Sequence, residues 1–303
     1  MNISEKLITI LIASTLSSVS QAAVILYDDF NSANYVDNVN GDTGDADTGS
    51  YSGDWLGDTA GGIAQWNSTG LTYSGMTTTD GSLEINRSTG SHDGLYNARV
   101  DPAGAASGNV IFFSALINIE AGVNGARFGL SLSDDQVTDI PPNTIRRSDI
   151  GFTSSGAAAI WNPGGNNDDA TFDDPNAAPV ASTGSYAFDT TYLLVGKIED
   201  ASNWAGSNDR VTMWINPTDN VEGNNTAVLS EEVSFAGLFP DEPGITQFAF
   251  QAGTDDAVES AYLDEVRIGD SFADVVPIPE PTTFALFGLA GLAAMAGLRR
   301  RNA

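Results

Sequence analysis

The chain has 303 residues, 41% of them hydrophobic, and carries 40 acidic against 12 basic side chains for a formal net charge of −28, with one histidine and no cysteine. A field of that sign repels phosphate backbones and anionic lipid, which argues against nucleic-acid binding. Without cysteine neither a disulfide framework nor a thiolate metal site can form, and one histidine excludes the multi-histidine zinc sites of hydrolases.

At the amino end Lys6 precedes an apolar run over residues 7–19, and Ser20-Gln21-Ala22 then sets small residues at the positions a signal peptidase reads. The run is short for a membrane span, so the pattern predicts a cleaved signal peptide over residues 1–22, cut between Ala22 and Ala23. Residues 23–275, long enough for one all-β domain with a substantial core, keep 8 basic against 38 acidic side chains once Lys6, Arg299, Arg300, Arg301, Glu5 and Glu280 are assigned to the ends. Such a body is soluble and favours divalent cations.

Residues 24–30 (VILYDDF) predict a first strand. Residues 31–79 are dense in Gly, Asp, Ser and Thr around Trp55 and Trp66, a composition that favours long loops and short strands. A strand follows at 82–86. Beyond Val110, residues Ile111, Phe113, Ala115, Ile117 and Ile119 fall on one face, with Ser114 and Asn118 on the other. Phe128, Leu130 and Leu132 alternate in the same period of two, and the turn-prone residues 122–125 between these runs predict a hairpin. Residues 149–153 and 157–161 predict a second pair, followed by a polar loop over 162–185. Strands are predicted at 191–198 and 210–215, where Val211, Met213 and Ile215 face one way and Thr212 and Trp214 the other. Phe248, Phe250 and Ala252 alternate with Gln247 and Gln251, and residues 261–268 close the body. No window holds a sustained helical period, so the expected class is all-β, a sandwich of two antiparallel sheets.

Oxygen donors on flexible loops suit calcium. Asn38, Asn40, Asp42, Asp45 and Asp47 cluster in one glycine-punctuated loop and are the candidate metal ligands, with Asp168, Asp169, Asp173 and Asp174 a second cluster. Neither has full EF-hand spacing, and a solvated acidic loop is the alternative. Flat aromatic faces stack on sugar rings, which makes Trp161, Trp204 and Trp214 candidates for carbohydrate binding; core packing is the other role open to them. His92 lies in a turn-forming Ser-His-Asp-Gly run without a Gly-x-Ser-x-Gly elbow, so no nucleophilic triad is expected. Asp264 and Glu265 are adjacent in a predicted strand and are expected on opposite faces, Asp264 sharing its face with Tyr262, Val266 and Ile268 as a structural carboxylate. No residues are assigned a catalytic role.

The tail, residues 276–303, reads VPIPEPTTFALFGLAGLAAMAGLRRRNA. From Thr282 to Leu298 it carries no charge and as a helix would cover roughly 25 Å, slightly under a hydrocarbon core of about 30 Å. Arg299, Arg300 and Arg301 would hold its far end on the cytoplasmic side, leaving the body outside. Pro277, Pro279 and Pro281 keep the intervening residues extended. The order Pro279-Glu280-Pro281, span and basic end resembles the PEP-CTERM sorting signal of Gram-negative bacteria. The resemblance implies recognition by an exosortase, transient anchoring through the transmembrane helix Thr282–Leu298, its removal, and delivery to the cell surface or extracellular polysaccharide matrix.

Residues 209–218 (DRVTMWINPT) and 261–275 (AYLDEVRIGDSFADV) resemble late strands of laminin-G-like, concanavalin A-like jelly rolls. That resemblance implies two curved antiparallel sheets with a concave face and rim loops that in many relatives hold sugars or calcium. A laminarinase-like hydrolase of this shape would carry a Glu-x-Asp-x-x-Glu strand, and the sequence has none. The expectation is therefore a non-enzymatic, structural surface or biofilm protein, with a carbohydrate-binding module and then a glycoside hydrolase as alternatives.

Overall fold

A computed structural model describes residues 24–30, 48–49, 56–57, 62–73, 76, 78, 81–87, 94–99, 110–120, 127–133, 148–153, 155–161, 179–199, 209–233, 247–253 and 260–276. The strands are β1 (Val24–Asp28), β2 (Thr48–Gly49), β3 (Leu56–Gly57), β4 (Gly62–Asn67), β5 (Ser82–Arg87), β6 (Gly94–Arg99), β7 (Val110–Ile119) and β8 (Arg127–Ser133). They continue as β9 (Ser148–Phe152), β10 (Ala158–Trp161), β11 (Ala181–Thr183), β12 (Tyr192–Glu199), β13 (Asp209–Ile215), β14 (Leu229–Val233), β15 (Gln247–Gly253) and β16 (Ser260–Gly269), followed by one helical turn, α1 (Phe272–Val275). A nine-stranded sheet runs β14-β13-β12-β7-β16-β1-β2, with β5 also on β16 and β4 on β5; a seven-stranded sheet runs β11-β10-β9-β8-β15-β6-β3. All pairings are antiparallel, and two such sheets agree with the expected jelly-roll sandwich.

Strand β7 (VIFFSALINI) is the centre of the larger sheet, between β12 and β16. Its Ile111, Phe113, Ala115, Ile117 and Ile119 are at most 5% exposed, and Leu130, Ile150, Phe152, Ala158 and Ile160 of the smaller sheet are at most 2% exposed. Gly196 lies opposite Phe113 on β12. A Cβ there would strike Phe113 Cζ and lie 2.7 Å from Ile150 Cδ1, so its missing side chain lets the sheets close.

The predicted β7–β8 hairpin is not formed. β8 pairs with β9 and β15 in the opposite sheet. Two apolar rows facing each other across a core bury more surface than the same rows side by side in one sheet. The 149–153/157–161 pair does form, as β9–β10, and the strands expected at 191–198 and 210–215 are β12 and β13, which pair with each other. Strands β4, β6, β11 and β14 lie on polar or glycine-rich sequence (GIAQWN, GLYNAR, AST, LSEEV) that gave no strand signal.

The outward face of the nine-stranded sheet is covered too. Leu71, Phe112, Leu116, Leu193, Val195, Trp214, Phe272, Val275 and Val276 form one buried cluster there, with α1 as its lid. Asp274 closes the turn by accepting bonds from the Ser271 N–H and hydroxyl at 2.8 and 2.7 Å. Gly269 lies so close to Asp274 that a Cβ would strike that side chain. Among the described residues no helix is long and apolar enough to cross a membrane; the expected signal peptide and Thr282–Leu298 lie outside them.

Candidate functional site

Two features of the outward face of the nine-stranded sheet bear on function, and they adjoin. The first is where the body hands over to the tail. Phe272 meets Trp214 and Phe112 edge-on, with ring centroids 5.0 and 6.0 Å apart. Ser114 donates its hydroxyl to the Val275 carbonyl at 2.5 Å, and the Val276 N–H bonds to the Phe272 carbonyl at 3.1 Å. Phe272, Val275 and Val276 are 4%, 0% and 2% exposed. The chain is thus fixed to the sheet up to Val276.

The second is a group of buried ionisable side chains on β1 and β16. The pairing of β16 with β7 shifts between Asp264 and Arg267, and Glu265 takes φ 53°, a β-bulge in a left-handed conformation unusual for Glu. The bulge coincides with a change of neighbour, because β5 flanks residues 260–263 of β16 and β1 flanks residues 266–269. Asp264 is 0% exposed and accepts the Leu71 N–H at 2.8 Å and the Glu265 N–H at 2.7 Å. Burial pushes its pKa up to about 8; the charges of Glu265 and Asp29 add to the rise, and the two N–H donors oppose it. Glu265 accepts from Arg267 at 2.8 Å and from the Tyr27 hydroxyl at 3.2 Å, and the Arg267 guanidinium lies 4.3 Å from the Tyr27 ring centre. Burial, and then the Glu265 charge, raise the Tyr27 pKa.

These contacts correct the expected facing. Tyr262 and Asp264 do share a face, opposite Asn118 and Leu116, but beyond the bulge Ile268 pairs with the core residue Phe113 and Arg267 with Ser114. Val266 and Ile268 therefore lie on the face away from Asp264, and the bulge brings Glu265 to Arg267 and Tyr27 instead of sending it to the opposite side. The carboxylates are engaged by backbone N–H groups, a guanidinium and a phenol, an arrangement that clamps the 71 segment and β1 to β16. Glu84, which gave no sequence signal, adds a similar stitch by accepting from Ser260 at 2.9 Å and Asn67 at 3.1 Å.

Further along that face Lys197 bonds Glu199 at 2.8 Å and Glu222 at 2.9 Å and lies 5.4 Å from the Phe112 ring centre. Burial lowers its pKa, but the bonds to Glu199 and Glu222 outweigh that and the net direction is up.

Trp161 and Trp214 are not exposed faces for a sugar. They are 4% and 3% exposed; Trp161 packs with Ala159, and Trp214 lies beneath α1 because this side of the sheet, read as polar, is covered. Trp204, His92, Asn38, Asn40, Asp42, Asp45, Asp47, Asp168, Asp169, Asp173 and Asp174 lie outside the described residues, as do Ala22, Pro279, Glu280, Pro281, Arg299, Arg300 and Arg301; Ala23 does too. Among the described residues no three carboxylate or histidine side chains converge to hold a metal ion.

Just past the anchored Val276, residues 277–301 match the PEP-CTERM protein-sorting motif. The chain carries a PEP-CTERM sorting signal. Such a signal implies recognition by an exosortase, and with it export and membrane-associated sorting. The PEP-CTERM match characterises the tail and leaves residues 1–276 unassigned. Among curated proteins no sequence matches the chain. Solved structures similar to it include a mutant of the alginate lyase Aly36B in complex with alginate trisaccharide, at TM-score 0.44 and 15% identity over 82% of this chain and 99% of that one. Another is the binding domain of botulinum neurotoxin serotype G, at TM-score 0.42 and 10% identity over 82% of this chain and 48% of that one. A third is the carbohydrate recognition domain of Emp46p, at TM-score 0.43 and 12% identity over 64% and 85%. No residue role is transferred from them.

Proposed function

We propose that the protein is a non-enzymatic component of the cell surface or exopolysaccharide matrix of a Gram-negative bacterium, released there once an exosortase removes the span Thr282–Leu298. The observation that carries this reading is the PEP-CTERM motif over 277–301, set directly behind a β-sandwich whose last residues are fixed to its own sheet. The acidic composition supports it, since a body with so few basic side chains stays soluble and hydrated among polysaccharide chains. The buried carboxylates support a structural role, because Asp264 and Glu265 are engaged with backbone donors, Arg267 and Tyr27. Calcium held by Asn38, Asn40, Asp42, Asp45 and Asp47 belongs to the same reading and would tie down an acidic loop; calorimetry should give a calcium heat, and chelator should lower the melting temperature.

The experiment is to follow a tagged chain in a host with and without its exosortase. With the enzyme, the body should reach the medium or matrix lacking the mass of the span; without it, the chain should stay in the membrane fraction at full length. Full-length chain in the cytoplasm would end the proposal. Carbohydrate binding now rests on Trp204, and retention on the host exopolysaccharide should fall on Trp204→Ala if that reading holds. Reducing-sugar release would instead mark a glycoside hydrolase.

A further inference from the structure

The anchor and the sorting motif are very close together. Val275 and Val276 are 0% and 2% exposed, yet Pro279 is only three residues beyond Val276 and the uncharged span starts at Thr282. Residues 277–281 can reach at most about 18 Å even when fully extended. A body of this size has a radius of gyration of about 18 Å, so with the span in the bilayer the tether's full reach is no longer than the body's own radius. Releasing residues 270–276 from the sheet would lengthen the tether to about 40 Å.

We propose that docked α1 is a brake on the protein's own processing: while Phe272, Val275 and Val276 are seated, the body obstructs the enzyme's approach to Pro279–Pro281, and access rises when this segment leaves the sheet. The brake rests on the reading that an exosortase cuts the tail. Processing here is hydrolysis of one peptide bond on the body side of the span, in which the body's acyl carbon takes hydroxide from water and the span departs as an amine bearing the second proton. The contacts that set the brake are those of Phe272 with Trp214 and Phe112, and of Ser114 with the Val275 carbonyl.

The test is pulse-chase of the full chain in a host that carries the exosortase, reading the rate at which the tail mass is lost. A Gly/Ser linker of about twelve residues between Val276 and Pro277, adding roughly 20 Å of root-mean-square reach, leaves the core intact and is expected to speed processing about tenfold. Phe272→Ala, which weakens docking without lengthening the chain, should act in the same direction. The same linker after Gly223, where among the described residues no atom beyond its chain neighbours lies within 4 Å of an added Cβ, should leave the rate at the wild-type value. An unchanged or slower rate with the Val276 linker, while wild type is cut, overturns the brake and leaves the sorting reading standing. Loss of no tail in any variant overturns both.

Discussion

Replacing Asp264 tests whether the buried carboxyl is a clamp. In Asp264→Ala the Leu71 and Glu265 N–H groups, now bonded at 2.8 and 2.7 Å, lose their acceptor in a site with no exposure. Each orphaned donor costs about 1–3 kcal/mol, so the expected loss is about 2–6 kcal/mol. Asp264→Asn keeps one acceptor and points its amide N–H at the other donor, which places it between wild type and Ala. The pH dependence carries a further sign. With the folded pKa raised to about 8 from 3.8, the carboxyl's contribution is present in full below about pH 4 and is lost as pH rises through about 8, by up to about 1.4 kcal/mol per unit. Asn does not titrate, so the advantage of wild type over Asp264→Asn should shrink between pH 5 and pH 8, a window of roughly that slope. Urea unfolding followed by tryptophan fluorescence at several pH values measures both effects. A loss below about 1 kcal/mol in Asp264→Ala, or a gap that widens with pH, would refute the reasoning.

Gly196→Ala should cost about 1–3 kcal/mol through overpacking against Phe113 and Ile150, seen as a lowered melting temperature in calorimetry. Asn216→Ala removes the acceptor of the Leu193 N–H at 2.8 Å and leaves Ala at φ 51°, for an expected loss of about 2–4 kcal/mol in urea; Asn216→Gly should recover part of it. Among the described residues the Trp214 indole N–H is buried without a hydrogen-bond partner, so Trp214→Phe should lose packing and no hydrogen bond, and cost less than Trp214→Ala. Trp214→Ala should cost about 3–5 kcal/mol by emptying the space under Phe272, and chemical denaturation separates the two.

Strands with a period-two alternation were legible because successive side chains of an extended chain point to opposite faces. β7, β8, β13 and β15 stand where their period of two placed them. Partner choice was not legible: β7 and β8 are neighbours in sequence, yet the pairs that bury most put them in different sheets. The bulge did leave a trace. Ala261 and Leu263 hold one parity and Val266 and Ile268 the other, so the apolar rhythm of β16 slips by one at Asp264-Glu265, which is what an inserted residue produces. Trp214 is covered although its strand neighbour Thr212 is polar, because Phe112, Leu116, Leu193 and Val195, on the same side of the adjoining strands, are all apolar. The sorting motif needed no tertiary information, since its parts are recognised by their order along the chain.

Lys197 has a practical consequence. It is one of two lysines in the chain, the other being Lys6, and its side chain is 12% exposed and held by two carboxylates. An ammonium so paired gives up its proton reluctantly, and only the free amine attacks an activated ester. In a chain cut after Ala22, coupling dyes or cross-linkers through primary amines should therefore label the folded body almost entirely at its α-amino group, and uptake at Lys197 would report the opening of this face of the sheet.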